Sequence, residues 1–204
     1  MTVVDPRILV IGGTSFIGRA FCETLRDRSR VPFLVLNRGV TNPAALPGIP
    51  HLACDLEDEE QCREAMAGTH WSSIVDFVSR EDRHVRRVLT NARCDHYTLV
   101  SSSAVDLSWP GDDYFGMAQH KLWCEHLAQR LTPNVLVVRP GFVCGRNDPT
   151  GRFETADGQW FWRGTRTLVR PMIRVELLAN TIARLVRDRR VGIVRAGYSL
   201  VGER

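Results

Sequence analysis

The chain has 204 residues, of which 44% are hydrophobic and 25% are charged, a composition typical of one globular domain. The formal net charge of +4 is compatible with an anionic ligand but does not single out nucleic acid. The N-terminus lacks the pattern of a signal peptide, and no stretch approaches the roughly 20 apolar residues of a membrane span. We therefore expect a soluble, cytoplasmic protein without a membrane association.

Short apolar runs alternate with longer amphipathic runs along the chain. The predicted strands and helices, in order, are strand 7–13, helix 16–29, strand 32–39, a short strand near 51, helix 58–67, strand 72–79, helix 81–94, strand 96–103, helix 113–131, strand 134–143, helix 174–188 and strand 191–197. This alternation predicts an α/β fold, a Rossmann-like, doubly wound parallel sheet with helices on both faces.

One domain is expected over 1–204, with a Rossmann core at 1–145. The remaining 146–204 are expected to form a shortened substrate or lid region with the last helix and strand. In such sheets ligands bind beyond the carboxyl ends of the strands, so functional residues should follow the strands.

Six cysteines are spread through the predicted elements without a C-x-x-C pair. We expect buried free thiols in a reducing compartment and no metal site. The six are Cys22, Cys54, Cys62, Cys94, Cys124 and Cys144.

A glycine-rich turn separates the first strand from the first helix. Glycines there permit a tight turn and close helix packing, and the helix N-terminus offers free N–H groups to a pyrophosphate. Ser15 replaces the middle glycine of the usual G-x-x-G-x-x-G spacing. The predicted cofactor-binding residues of this turn are Gly12, Gly13, Thr14, Ser15, Phe16, Ile17 and Gly18.

The second strand ends in Asn37-Arg38 rather than in an acid. An acid would bind the ribose 2′-hydroxyl of NAD, whereas an arginine suits the 2′-phosphate of NADP. NADP is therefore favoured, NAD remains possible, and Arg38 could instead be a solvated loop residue.

Three further strand ends are predicted to contribute to the cofactor site. Asp55 and Leu56 follow the third strand, where Asp55 would bind the adenine amino group or cap the next helix. The backbone after the fourth long strand is expected to line the cofactor through Phe77, Val78 and Ser79.

Taken together, several motifs resemble the extended short-chain dehydrogenases/reductases, the NAD(P)-dependent epimerase/dehydratase family. They are ILVIGGTSFIG, LNRG, CDLED, VDFVS, VSSSAV, KLWCE and VVRPGFVCG. The first two look most like the atypical branch that includes chloroplast stem-loop-binding proteins. The resemblance extends over roughly 5–145 and is looser beyond.

The resemblance implies a catalytic serine, a Tyr-x-x-x-Lys pair and a cofactor contact at Pro140. The serine corresponds to Ser102 or Ser103 and the lysine to Lys121. Met117 stands at the tyrosine position, and a thioether cannot transfer the proton. Tyr114 is the candidate replacement, either on the same face of the helix as the lysine or in a loop before it.

The segment 145–171 lies where relatives have a substrate lid. It has two possible roles, an aromatic and cationic substrate pocket or a cover for the sheet end. The residues concerned are Arg152, Trp160, Phe161, Trp162, Arg163 and Arg166.

The function expected from the resemblance is an NADP(H)-dependent oxidoreductase, epimerase or dehydratase with a non-standard acid/base. Its small-molecule substrate would be a small polar metabolite, such as a sugar nucleotide or a secondary-metabolite intermediate. The alternatives are a non-catalytic NADP(H)-binding sensor or partner protein and, less favoured, an RNA-associated relative. The resemblance also implies a homodimer formed through the helices at 81–93 and 113–131.

Overall fold

The computed structural model describes residues 8–29, 31–42, 44–106, 112–156, 159–163 and 172–197, without the side chains of 112–115, 155 and 160. The helices are α1 (Phe16–Arg28), α2 (Glu59–Met66), α3 (Asp82–Asn91), α4 (Asp112–Leu131) and α5 (Val175–Arg187), with a 3-10 turn at Ser103–Val105. The strands are β1 (Ile8–Ile11), β2 (Phe33–Asn37), β3 (His51–Ala53), β4 (His70–Trp71), β5 (Ser73–Asp76), β6 (Arg93–Cys94), β7 (Tyr97–Val100), β8 (Val135–Pro140), β9 (Phe142–Cys144), β10 (Phe153–Ala156), β11 (Gln159–Trp162), β12 (Met172–Arg174) and β13 (Gly192–Ala196).

Seven strands form one sheet in the order β13-β8-β7-β5-β1-β2-β3, and every pairing in it is parallel. The order reverses between β1 and β5, which places a crevice at the carboxyl ends of these two strands. The predicted Rossmann-like, doubly wound α/β fold is therefore confirmed.

Apolar side chains cover both faces of the sheet. One core cluster joins the sheet to α1 and α5 through residues such as Phe21 and Ile182. The other joins it to α2, α3 and α4, with Met66 and Val88 among its members. Burial on both faces explains why the central strands read as continuous apolar runs rather than as alternating ones.

The last helix and strand belong to the main sheet layer. β13 pairs in parallel with β8, and α5 packs against α1. The last helix and strand of the region expected at 146–204 therefore lie in the same layers as the core, whereas β10 and β11 pair with each other outside the main sheet. Among the described segments, none of the helices combines the length and apolar character needed to cross a bilayer.

Helix α4 does not bury all of the apolar stripe that helical spacing predicts for it. That stripe comprises Met117, Cys124, Leu127 and Leu131, but Met117 and Leu131 are exposed, at 40% and 41%. The buried face consists of Lys121, Cys124, Glu125 and Ala128. Hydrophobicity alone misplaced the face because two of its members are charged groups with partners inside the protein.

The Glu125 carboxylate is paired with a buried arginine. Arg139, on β8, directs its Nε at both carboxylate oxygens, at 3.1 and 3.2 Å, and Nη2 also donates to Glu125. Its Nη1 donates to Asp106, which follows the 3-10 turn and also accepts from Arg195. One guanidinium group therefore holds α4 and the turn against β8.

Replacing Arg139 with methionine should destabilise the protein by about 3–5 kcal/mol, because the Glu125 carboxylate would stay buried without its cation. Arg195→Met is the matched control, because the Arg195 side chain is half exposed. This substitution should lower the free energy of unfolding by about 1 kcal/mol or less. Urea unfolding of both variants measures the difference. Equal losses would show that the buried pair does not hold α4 in place.

Candidate functional site

The turn between β1 and α1 is packed too closely for side chains at two of its glycines. Gly12 has φ of +84°, and a methyl group on it would lie 2.2 Å from Val78 Cγ1. A methyl group on Gly18 would lie 2.1 Å from the Gly12 carbonyl oxygen. The glycines therefore bring the N-terminus of α1 directly against the end of β1.

That helix N-terminus has N–H groups to offer a ligand. Ser15 occupies the N-cap position, but among the described residues its side chain makes no capping hydrogen bond. The first residue, Phe16, has a φ of 36°, a left-handed conformation unusual for a side chain of this size. An anion at this position would satisfy N–H groups that the helix leaves unpaired.

The residues after β2 form a tight turn beside the glycines. The Asn37 amide oxygen accepts from the Gly39 N–H at 2.7 Å, and its amide nitrogen donates to the Thr14 hydroxyl at 3.4 Å. Asn37 therefore braces the turn, and this leaves Arg38 as the residue that presents a charge at the strand end.

The loop between β3 and α2 is held by its own polar groups. The Asp55 Oδ1 atom accepts from the Glu57 N–H at 3.1 Å, and the Asp55 N–H donates to Gln61. The N-cap of α2 is Asp58, which accepts from the Gln61 N–H. The interpretation of Asp55 as the helix cap is therefore wrong, and among the described residues its Oδ2 atom has no hydrogen-bond partner.

A polar cluster on α3 supports this loop from the other side. His84 lies 2.8 Å from Glu57, which also pairs with Arg83 at 3.1 Å and lies 3.7 Å from Arg87. The hydrogen bond from His84 holds the pKa of the Glu57 carboxyl below its usual value. Arg87 also donates to the Leu56 carbonyl. Arg83 and Arg87 therefore help to hold the loop.

A cavity of about 380 Å³ lies between these segments, at the carboxyl edge of the sheet. The predicted site residues that line it are Gly12, Thr14, Ser15, Asn37, Arg38, Asp55, Leu56, Phe77 and Val78. The lining residues that the sequence interpretation missed are Ile11, Leu36, Gly39, Thr41, Cys54, Glu57, Arg80 and His84. Arg80 lies four residues after the end of β5, on the same chain segment as the predicted residues Phe77 and Val78, and this position could have identified it.

The other predicted cofactor residues do not line this cavity. Gly13 packs into the core, where a methyl group would lie 2.7 Å from Cys22 Sγ, and Phe16 and Ile17 pack against the same cluster. Gly18 serves the close helix contact, and Pro140 is a buried residue at the end of β8. The remaining two, Ser79 and Lys121, belong to a buried network.

That network is built on Asp76, a fully buried carboxylate at the end of β5. It accepts hydrogen bonds from the N–H groups of Val78 and Ser79, both at 2.9 Å. It also accepts from the hydroxyl groups of Ser79 and Tyr97. The chain after β5 is thereby fixed in the conformation that presents Phe77 and Val78 to the cavity.

Lys121 completes the network from α4. Its Nζ donates to the carbonyl oxygens of Ser79, at 2.7 Å, and Val100, at 3.0 Å. Burial lowers the pKa of the ammonium group, an effect that the Asp76 carboxylate opposes. An ammonium group has three N–H bonds, so one donor has no partner among the described residues.

The three serines after β7 have different surroundings. Ser101 is buried and donates to Glu125, and Ser103 is buried within the 3-10 turn. Ser102 is half-buried, and its oxygen accepts from the Ala104 N–H at 3.2 Å. Among the described residues its own O–H has no acceptor, and Ser102 is more exposed than Ser103.

The acid/base position remains altered in the structure. Met117 lies on α4 one turn before Lys121 and is exposed. Residue 114 is helical, which excludes the loop alternative, but the side chain of Tyr114 lies outside the described residues. His120 is exposed, and its ring packs edge-on against Trp123, on a different side of the helix from the buried lysine.

Aromatic residues of the hairpin formed by β10 and β11 pack with a residue of β9 in a small core. The rings of Phe142, Phe153 and Trp162 pack edge-to-face, with centroids 5.3 to 5.9 Å apart. This packing favours the covering role over the substrate-pocket role for Trp162. The predictions for Arg166 and for the side chain of Trp160 lie outside the described residues.

Residues 8–96 match the model of the NAD dependent epimerase/dehydratase family. The matched stretch includes the glycine turn, Arg38, Asp55 and Asp76. No curated protein matches the sequence.

Solved structures of similar proteins share the fold. A putative epimerase from Burkholderia cenocepacia J2315 is 18% identical, with a TM-score of 0.67 and coverage of 92% of this chain and 73% of that chain. The enzyme WbmF from Bordetella bronchiseptica, solved with NAD+ and UDP, is 13% identical, with a TM-score of 0.69 and coverage of 95% and 72%. A short-chain dehydrogenase/reductase from Veillonella parvula, in complex with NADP, is 11% identical, with a TM-score of 0.63 and coverage of 89% and 87%.

Replacing Gly18 with alanine should destabilise the protein by about 3 kcal/mol, because the new methyl group meets the Gly12 carbonyl and neither backbone can move alone. Gly116→Ala, in α4, is the control, since a methyl group there meets nothing within 4 Å. The control should stabilise by about 0.5–1 kcal/mol. Thermal and urea unfolding would compare them, and similar values for both would contradict the close packing of the turn.

Proposed function

We propose that this chain binds NADP(H) in the cavity at the carboxyl edge of the sheet and acts as an oxidoreductase or an epimerase/dehydratase-like enzyme with an altered acid/base. The single observation that most supports this is the presence, around one cavity, of the glycine turn, Arg38 and the Asp55 loop. The cavity of about 380 Å³ is large enough for the adenosine half of a dinucleotide.

The residues around the cavity fit the chemical groups of that half. The N-terminus of α1 would hold the pyrophosphate, since the Ser15 side chain does not cap it. Arg38 would clamp a 2′-phosphate, because the lining residues at the end of β2, Asn37, Arg38, Gly39 and Thr41, include no carboxylate to repel it. The free oxygen of Asp55 would accept from the adenine amino group.

The nicotinamide half would lie over the ends of β7 and β8. NADP(H), when bound, supplies hydride transfer there. The remaining N–H of Lys121 would hold the ribose, and the Ser102 hydroxyl would orient a polar oxygen of the substrate. Met117 cannot move a proton, so the proton would come from Tyr114, a serine hydroxyl or water. The substrate class would be a small polar metabolite, such as a sugar nucleotide or a secondary-metabolite intermediate.

The second candidate is a non-catalytic NADP(H)-binding sensor or partner protein. Met117 favours it, since the group that performs proton transfer in the resembled family is absent while the buried Lys121 is kept. The two candidates share the cofactor site and differ only in turnover.

Arg38→Met should raise the dissociation constant for NADPH by about 10- to 100-fold, the loss expected for charged hydrogen bonds to a phosphate. The affinity for NADH should not change, because NADH lacks the 2′-phosphate. Nicotinamide fluorescence measures both constants. Arg86→Met is the control, an exposed arginine on α3 outside the cavity. Equal NADPH affinity in wild type and Arg38→Met would contradict the proposed clamp.

Met117→Tyr should increase NADPH oxidation on a panel of carbonyl compounds, because it places a phenolic hydroxyl one helical turn before Lys121. Met117→Phe is the matched control, with a ring of similar size and no hydroxyl. A gain confined to the tyrosine variant supports the enzyme candidate. No turnover in wild type or either variant, despite NADPH binding, would favour the sensor candidate.

A further inference from the structure

Two thiols lie in contact beside the adenine end of the cavity. The Sγ atoms of Cys54 and Cys62 are 3.7 Å apart, and both residues are almost completely buried. Cys54 also lines the cavity, which gives a small molecule access to it. The separation between the sulfur atoms exceeds a disulfide bond length by about 1.7 Å.

The two cysteines lie on different structural elements. Cys54 follows β3, and its N–H donates to the Asn37 carbonyl at 2.9 Å, which fixes it to the sheet. Cys62 lies in α2, which begins at Glu59. The loop between them contains Asp55 and Leu56, and both residues line the cavity. A movement of α2 toward the sheet would therefore displace this loop.

The thiols also take part in holding the loop. Cys54 donates to the Cys62 sulfur, and the Cys62 S–H donates to the Asp55 carbonyl at 3.6 Å. Forming a disulfide removes both S–H donors. The Asp55 carbonyl then loses a partner in the interior, in addition to the shift that the shorter sulfur–sulfur distance imposes.

We propose that Cys54 and Cys62 are a redox-sensitive dithiol whose oxidation by a hydroperoxide weakens nucleotide binding at the adenine end. The effect on binding rests on the proposed function, whereas disulfide formation does not. Because bound nucleotide and the disulfide oppose one another, a bound nucleotide must disfavour oxidation to the same degree.

The reaction balances with hydrogen peroxide as the oxidant. One thiol sulfur attacks an oxygen atom of the peroxide and breaks the O–O bond, which forms a sulfenic acid and releases one molecule of water. The second sulfur then attacks the sulfenic sulfur, displaces a second water and forms the disulfide. The two thiols lose two electrons and two protons, and the peroxide is reduced to two molecules of water.

The pair should react slowly. Burial raises the pKa of the Cys54 thiol to about 12, and burial also raises the pKa of Cys62. Few thiolates are present at neutral pH, so the dithiol would respond to sustained oxidation rather than to a brief pulse.

One tryptic peptide, 39–63, contains both cysteines and no others. Disulfide formation within it appears as the loss of two hydrogen atoms and is reversed by dithiothreitol. Wild type would be treated with hydrogen peroxide, with and without saturating NADPH, and Cys62→Ala and Cys54→Ser would be treated in parallel. We expect closure in wild type only, slowed by NADPH.

The affinity of the oxidised wild type for NADPH should fall about tenfold, the value of one buried hydrogen bond to a ligand-binding group, and recover on reduction. Unchanged affinity after complete closure would overturn the coupling. Oxidation of the other cysteines while the peptide stays reduced would contradict the proposal that Cys54 and Cys62 form a redox-sensitive pair. Failure of the reduced protein to bind NADPH would contradict the proposed function and the coupling, while closure is still read on the peptide.

Discussion

The Lys121 ammonium group, buried between the carbonyl oxygens of Ser79 and Val100, is the interaction on which the arrangement of the sheet edge depends. A buried cation must have partners, and these two belong to the ends of neighbouring strands. Asp76 supplies the balancing charge and orders the chain after β5. Through these bonds, α4 and the wall of the cavity are parts of one polar network.

This network separates the two halves of the site. The half that would bind adenosine consists of backbone turns and paired charges held by the sheet, and the Met117 change lies outside it. The half that would perform chemistry depends on hydroxyl groups near Lys121, where Met117 replaces the expected tyrosine. The geometry of the cofactor site therefore does not require that the standard reaction be retained.

Much of the architecture could be predicted because parallel strands covered on both faces leave continuous apolar runs, and because a glycine turn followed by a helix has few alternatives. The buried face of α4 could not be predicted from the sequence, because the partners that allow Lys121 and Glu125 to be buried come from segments distant in sequence. The same reason explains why His84 was missed, as its contact with Glu57 appears only after α3 packs beside α2. Charged residues with tertiary partners are where the pattern of hydrophobicity gives least guidance.

The central proposal is that the cavity recognises the phosphorylated adenosine half of NADP. The direct test is calorimetric titration of the unmodified protein with 2′-phospho-ADP-ribose and with ADP-ribose, neither of which contains nicotinamide. We predict that both bind, with the phosphorylated compound tighter by about tenfold or more, as expected for a guanidinium–phosphate contact. Equal affinities would contradict the role of Arg38, and no binding of either compound would contradict the assignment of the cavity.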